Sequence, residues 1–208
     1  MDADAVEIRV LGCLIEKQRT TPDVYPLSLN ALRGACNQST NRDPVVDYDE
    51  PTIRAALERL GRKEWTRLAS GAGSRAVKYR HLLDQALGLD DAEIALVCVL
   101  MLRGPQTPGE LKQRSERLHR FGSLDEVEGT LEALVGRELA ARLPRRPGQK
   151  EQRYAQLLGG DGGATESESG PAPVPVAAAA AGGLEARVAR LEEAVARLAE
   201  ELESLRLP

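Results

Sequence analysis

Histidine is nearly missing from this chain. There are two in 208 residues, His81 and His119. They stand in non-equivalent settings, one after a short β segment and one in a loop before a helix. Neither belongs to a His-x-x-x-His or His-Glu-x-x-His pattern. The three cysteines, Cys13, Cys36 and Cys98, form no Cys-x-x-Cys pair, and an odd count argues against a disulfide framework. Cys13 and Cys98 sit in apolar helical runs, where a thiol acts as a small buried hydrophobe. No set of metal ligands emerges. The glycine-rich stretch Ser70-Gly71-Ala72-Gly73-Ser74 lies in a turn between β segments, not between a strand and a helix, so it is no phosphate loop. No G-x-S-x-G elbow occurs. The expectation is a protein that is not an enzyme and has neither cofactor nor metal.

Aromatic residues make up only 3 %, so the core must come from Leu, Val, Ile and Ala. No apolar run approaches a membrane span. Met1-Asp2-Ala3-Asp4 lacks the basic and apolar regions of a signal peptide. The expected location is the cytoplasm, with no membrane partner. A net positive charge is also lacking: the formal charge is -4, which is not a nucleic-acid signature. The charge is uneven, however. Residues 1–82 carry 13 Lys/Arg against 11 Asp/Glu, residues 83–158 carry 11 against 12, and residues 159–208 carry 4 against 9. The first of these segments, residues 1–82, is the part suited to a polyanion.

What is present is a degenerate repeat. One helical pattern runs through Val6, Ile8, Leu11, Leu14 and Ile15, and another through Ile94, Val97, Leu100 and Met101. Each meets a Thr/Pro break, Thr20-Thr21-Pro22 and Thr107-Pro108, then a short second helix around Leu27–Asn37 and Pro108–Arg117. A third helix follows, with Ile53, Leu57 and Leu60 matching Val127, Leu131 and Leu134 at i, i+4, i+7. Asp49-Glu50-Pro51 and Gly122-Ser123 supply starts. Then come Trp65–Leu68 and Leu139–Leu143, a turn, and the β segments Ala76–Tyr79 and Gln152–Tyr154. Leu57 to Tyr79 spans 22 positions and Leu131 to Tyr154 spans 23.

Three helices and a β-hairpin, twice over, predict a mostly α fold with small β-hairpins (α+β): tandem winged helix-turn-helix domains at 1–84 and 88–158. The alternative is two unrelated small units with similar punctuation. Residues 159–183 are low-complexity and expected to be a disordered linker with an r.m.s. span of about 25–30 Å. In 184–206, Leu184, Val188, Leu191, Val195, Leu198, Leu202 and Leu205 are spaced 4, 3, 4, 3, 4, 3. Val at a and Leu at d favour a parallel two-stranded coiled coil. Arg187 would face Glu192, and Glu201 would face Arg206, across the dimer. The competing reading is a helix folded back on its own domain.

The stretches Leu11–Lys17, Thr20–Leu32, Ala35–Gln38, Asn41–Val45 and Leu143–Glu151 resemble the YceH-like family of bacterial proteins. The resemblance covers roughly residues 5–158. It implies a tandem winged-helix fold and no particular activity. Ser39-Thr40 stands where the family pattern is more basic.

A winged helix reads the major groove with its third helix and touches backbone with its wing. The outward face of the first third helix carries Thr52, Arg54, Ala55, Glu58, Arg59 and Arg62, and Arg75 and Lys78 lie in the adjoining wing. These arginines suit phosphates and guanine edges, and otherwise they form a solvated face. The second third helix carries Asp125, Glu126, Glu128 and Glu132, with Arg137 in its last turn, and is expected to stay out of a groove. Its wing, Arg145-Arg146-Pro147-Gly148-Gln149-Lys150, is basic enough to grip backbone or an acidic protein surface. The loop Asn37–Glu50 is long for a helix-turn-helix. Its Asn37, Gln38, Asn41, Arg42 and Asp43 either read base edges or form an Asx-type loop before Pro44. Two functions follow: a DNA-binding regulator dimerised by its tail, or a protein-interaction scaffold like the tandem winged helices that bind kleisins in chromosome condensation, the latter by analogy of fold alone.

Overall fold

In the computed structural model the described residues are 3–69, 77–145 and 151–159, all within one compact unit. The chain order is α1 (Ala5–Thr20), β1 (Leu27–Ser28), α2 (Leu29–Cys36), α3 (Glu50–Arg62), β2 (Thr66–Leu68), β3 (Lys78–His81), α4 (Leu83–Leu87), α5 (Asp91–Arg103), α6 (Pro108–Ser115), α7 (Leu124–Gly136), β4 (Ala140–Leu143) and β5 (Arg153–Gln156). This is a helical chain with two small antiparallel sheets.

The helix starts are fixed locally by side chains that accept otherwise orphaned backbone N–H groups. Asp4 accepts from the Glu7 amide and Glu7 accepts from the Asp4 amide, both at 2.8 Å. Asp90 and Glu93 repeat this capping box at α5. Ser28, Asp49, Thr107 and Ser123 cap α2, α3, α6 and α7. Helix α2 therefore starts at Leu29, and Leu27-Ser28 is a strand rather than its first turn.

The two halves match in detail. Leu27 of β1 pairs with Tyr79, and the isolated bridge between Gln106 and Tyr154 stands in the same place. Helices α3 and α7 end alike. The Trp65 and Leu139 amides bond to the Leu60 and Leu134 carbonyls, and the Glu64 and Glu138 amides to Gly61 and Val135. These are Schellman endings. Glu64 and Glu138 occupy the left-handed position there, with φ of 59° and 56°. The helix α4 between the halves has no counterpart in the sequence-based expectation. It ends on Gly88 at φ 59°, a conformation that glycine takes without steric cost.

The expected apolar stripes of α3 and α7 are all buried. Helices α1 and α5 differ, because every residue from Glu7 to Ile15 and from Glu93 to Leu102 is buried. A helix covered on all sides belongs to the middle of a core, and these two pack on each other. Each fully buried Leu or Ile there contributes about 1.5–3 kcal/mol. Gly12 sets their approach, since a Cβ at that position would lie 2.8 Å from Leu102 Cδ2 and 3.2 Å from Met101 Cβ. Cys98 Sγ donates to the Gly12 carbonyl at 3.3 Å, and all three cysteines are free and buried. The halves are also tied by the Asp43 amide to the Leu102 carbonyl, 2.8 Å, and the Ala3 amide to the Leu158 carbonyl, 3.0 Å. The described residues of 1–84 and 88–158 thus share one continuous core. No described helix is long and apolar enough to cross a membrane. Apart from Gly159, the linker lies outside the described residues, as do the heptad positions Leu184, Val188, Leu191, Val195, Leu198, Leu202 and Leu205.

Candidate nucleic-acid interface

Helix α3 begins at its Asp49 cap with Pro51 in the first turn, and buries Ile53, Ala56, Leu57 and Leu60. That burial turns Arg54, Ala55, Glu58 and Arg62 to solvent. Neither Arg54 nor Arg62 has an acidic partner among the described residues. Arg59 is placed otherwise. Its Nη2 lies 2.5 Å from Asp4 Oδ2 and its Nε 3.6 Å from Glu7 Oε1. It is half-buried against the start of α1 and is engaged with protein rather than free for a phosphate.

Glu7 itself is 2 % exposed and also takes Lys63 at 3.0 Å. A buried carboxylate needs such partners, because desolvating a charge is costly unless it is paired. The second half repeats the device, with Glu93 buried and bonded by Arg137 Nη1 at 2.9 and 3.0 Å. Lys63 and Arg137 are thus equivalent cap residues that lock a third helix to a first helix.

The long loop between α2 and α3 is held from within. Asn37 bonds both the amide and the carbonyl of Tyr48, each at 2.9 Å, and its amide also reaches Asp47. Arg9, buried on α1, donates to the Cys36 and Pro44 carbonyls. Arg42 stands among the base-reading candidates of the sequence, but its side chain is 0 % exposed. It pairs with Glu16 at 2.6 Å and donates to the Ala35 and Asn41 carbonyls and to Gln38. An arginine so enclosed cannot reach a nucleic acid; it anchors the loop to α1. Asn41, exposed and left-handed at φ 60°, accepts from Arg103 of α5. The loop is therefore a strap across the two halves.

The first hairpin holds the feature that the sequence reading missed. Arg67 of β2 lies directly opposite Arg80 of β3, so both side chains project from one face, and Lys78 two residues before Arg80 shares it. None of the three has an acidic partner among the described residues, and Arg80 Nε is buried without any partner. Like charges set opposite each other weaken a sheet. In the second hairpin the same register positions are Ala141 and Ala155. Strand alternation was the available signal: Lys78 and Arg80 stand two residues apart and so share a face, opposite to that of Tyr79 and His81. Arg145 is exposed. Arg75, Arg146 and Lys150 lie outside the described residues.

On the other face His81 is 1 % exposed, beside Gln18, with its Nδ1 unpartnered and 3.6 Å from Asp84. Burial pushes its pKa down to about 4, against the opposing pull of Asp84. It is a neutral core residue at neutral pH and forms no ion pair there.

Helix α7 keeps its acids busy or exposed. Glu126 accepts from the Gly122 amide at 2.7 Å, and Glu132 takes Arg142 and the Tyr154 hydroxyl. The bond and charge of Arg142 hold the Glu132 carboxyl below its ordinary pKa. Asp125 and Glu128 face solvent. No group of three His, Cys, Asp or Glu able to hold a metal occurs among the described residues.

These features define a mixed helical and β protein of two like halves, in which the first half alone sets unpaired arginines on both its third helix and its hairpin. The chain belongs to the family described as "Protein of unknown function, DUF480", whose model matches residues 3–149. It is 52 % identical over 202 residues to a UPF0502 protein of Pelobacter propionicus, covering 96 % of this chain and 91 % of that one. It is 46 % identical over 213 residues to a UPF0502 protein of Shewanella sp. (strain ANA-3), covering 99 % and 98 %. A UPF0502 protein of Geotalea daltonii is 54 % identical over 158 residues, 75 % of this chain and 72 % of that one. The YceH-like resemblance is consistent with this membership.

Proposed function

We propose that this chain is a non-enzymatic DNA-binding protein made of two winged helix-turn-helix modules, acting as a transcriptional regulator and dimerised through residues 184–206. The single observation that carries the reading is the cross-strand pair Arg67 and Arg80. Two guanidiniums opposed on a sheet, with no described acid to relieve them, suit an anion from outside. Arg54 and Arg62 on α3 and Lys78 on β3 extend the cationic surface. Arg59 and Arg42 are left out, since protein partners occupy them.

The test is fluorescence anisotropy on random-sequence duplex DNA in low salt. Binding is expected, with affinity falling steeply as salt rises. A double variant, Arg67→Gln with Arg80→Gln, should weaken binding across all sequences and reduce the salt slope by about 2, one for each phosphate no longer neutralised. Absence of binding at low salt, or a variant indistinguishable from the parent, overturns the proposal. Light scattering with and without residues 184–208 tests the dimer. A monomeric full chain rejects that part.

A second reading, a scaffold that docks a protein partner, draws on α7. That helix exposes Asp125, Glu128 and the apolar Leu124, which is 42 % exposed. Crosslinking that captures a partner on α7, in a chain that ignores DNA, would favour it.

A further inference from the structure

A cleft of about 250 Å³ opens where the α2–α3 loop meets the second half. Asn41, Arg42 and Asp43 form one wall, and Arg103, Gln106, Glu110, Arg114 and Arg153 the others. Its walls are polar and rich in guanidinium. Arg42 is consumed by Glu16, but the other three arginines are poorly matched. Arg103 has only the neutral Asn41 carbonyl oxygen. Arg114 and Arg153 share one carboxylate, Glu110, at 3.6 and 3.8 Å, and Glu110 already accepts from the Thr107 amide in a capping box. Asp43 is the second acid in the lining, and it faces solvent.

Two wall atoms are buried without a partner: the donor Arg153 Nε, which suits an anionic oxygen, and the acceptor Gln106 Oε1, which suits a hydroxyl donor on the same ligand. The Gln106 amide nitrogen is spoken for by the Arg103 and Pro105 carbonyls, and Arg153 Nη1 by the Pro105 carbonyl at 3.1 Å. Buried polar atoms are normally satisfied, and an orphan calls for a reason. Burial, and after it the charges of Arg114 and Arg42, hold the Arg103 guanidinium below its ordinary pKa, with Glu16 opposing. The lining holds four guanidiniums against the carboxylates of Glu110 and Asp43, with Glu16 behind Arg42, so one positive charge is left over.

We propose that this cleft is a binding site for a small organic oxyanion, a carboxylate or phosphate ester, gripped by Arg103, Arg114 and Arg153. Planar guanidinium forks suit both oxyanions, since each offers paired oxygens. The volume lies below the about 300–1,000 Å³ of pockets for drug-sized ligands, so the occupant is a small metabolite. Gly104, at φ 68°, makes the turn between Arg103 and Gln106 that places both on the lining. The cleft joins both halves through the strap and α5, so an occupant bears on their relative packing.

The experiment is calorimetry on the full chain with malate and, separately, glycerol 3-phosphate, with chloride as the control. Nitrogen-15 NMR of the Gln106 side-chain amide and the Arg153 Nε–H reports the location. At least one oxyanion should bind with a Kd of about 1 mM or tighter and shift both signals. The stronger of the two identifies the oxyanion class. Arg114→Gln should weaken binding about 10-fold, and Arg103→Gln at least as much. Arg117→Gln, on an exposed residue outside the lining, should leave it unchanged and control for folding. Failure of both oxyanions to bind overturns the proposal. So does binding that Arg114→Gln leaves intact, or that moves neither signal.

Discussion

At the residue scale, charge and burial decide roles. His81 has its pKa lowered to about 4 by burial. In the unfolded chain it titrates near 6.5. Between those values the unfolded state binds more protons, so stability falls as pH drops through that window and is complete above it. Urea unfolding at pH 5 should show about 2 kcal/mol less stability than at pH 7 from this residue. His81→Gln should flatten that slope, and Gln156 holds the equivalent register position in the second half. An unchanged slope rejects the assignment. Arg42 is the opposite case, a charge buried with its partner. Burial alone would raise the Glu16 pKa, but the hydrogen bond and charge of Arg42 bring it below its ordinary value. Arg42→Ala strands that carboxylate and unpins the strap, so the expected loss is about 3–5 kcal/mol in urea unfolding at neutral pH. A loss under about 1 kcal/mol would be too small for an interaction of this kind.

At the element scale, local chemistry wrote most of the secondary structure. Six side-chain caps and the i, i+4, i+7 stripes place the helices from residues a few positions apart, and these are readable from the chain alone. The strand at Leu27-Ser28 is not, because its partner Tyr79 lies far along the chain. Two glycines show how helix preference and packing can oppose each other. Gly34 on α2 is exposed, with open space where an alanine methyl group would stand, so Gly34→Ala should stabilise by about 0.5–1 kcal/mol. Gly12 lies against Leu102, and Gly12→Ala should destabilise by about 1–3 kcal/mol despite the better helix former. Melting temperatures of the two variants should move in opposite directions. A rise in both would mean that α1 and α5 are not tightly packed.

At the scale of the whole molecule, the shared core makes the two halves one structural unit. Helix α1 is buried on every side from Glu7 to Ile15, partly by the second half. A fragment ending at residue 84 would expose that surface. Scanning calorimetry of residues 1–159, without the tail proposed to dimerise, should give a single transition with matching calorimetric and van't Hoff enthalpies. Residues 1–84 alone should give no cooperative transition. Two resolved transitions, or a stable fragment, would contradict the continuous core. The signal for this was present in the unbroken apolar run from Ile94 to Leu102, which is too continuous for a helix with a wet face.

By itself the amino-acid order determined the repeat, the helix starts, the buried stripes and the acidity of α7, because each depends on neighbours within a turn or two. Only the tertiary structure decided which arginines are available. Arg42 meets Glu16 across 26 positions, and Arg59 meets Asp4 across 55. Arg67 meets Arg80 only once the hairpin register is set. A guanidinium's role depends on the charge that stands beside it in space, and periodicity along the chain carries no information about that neighbour.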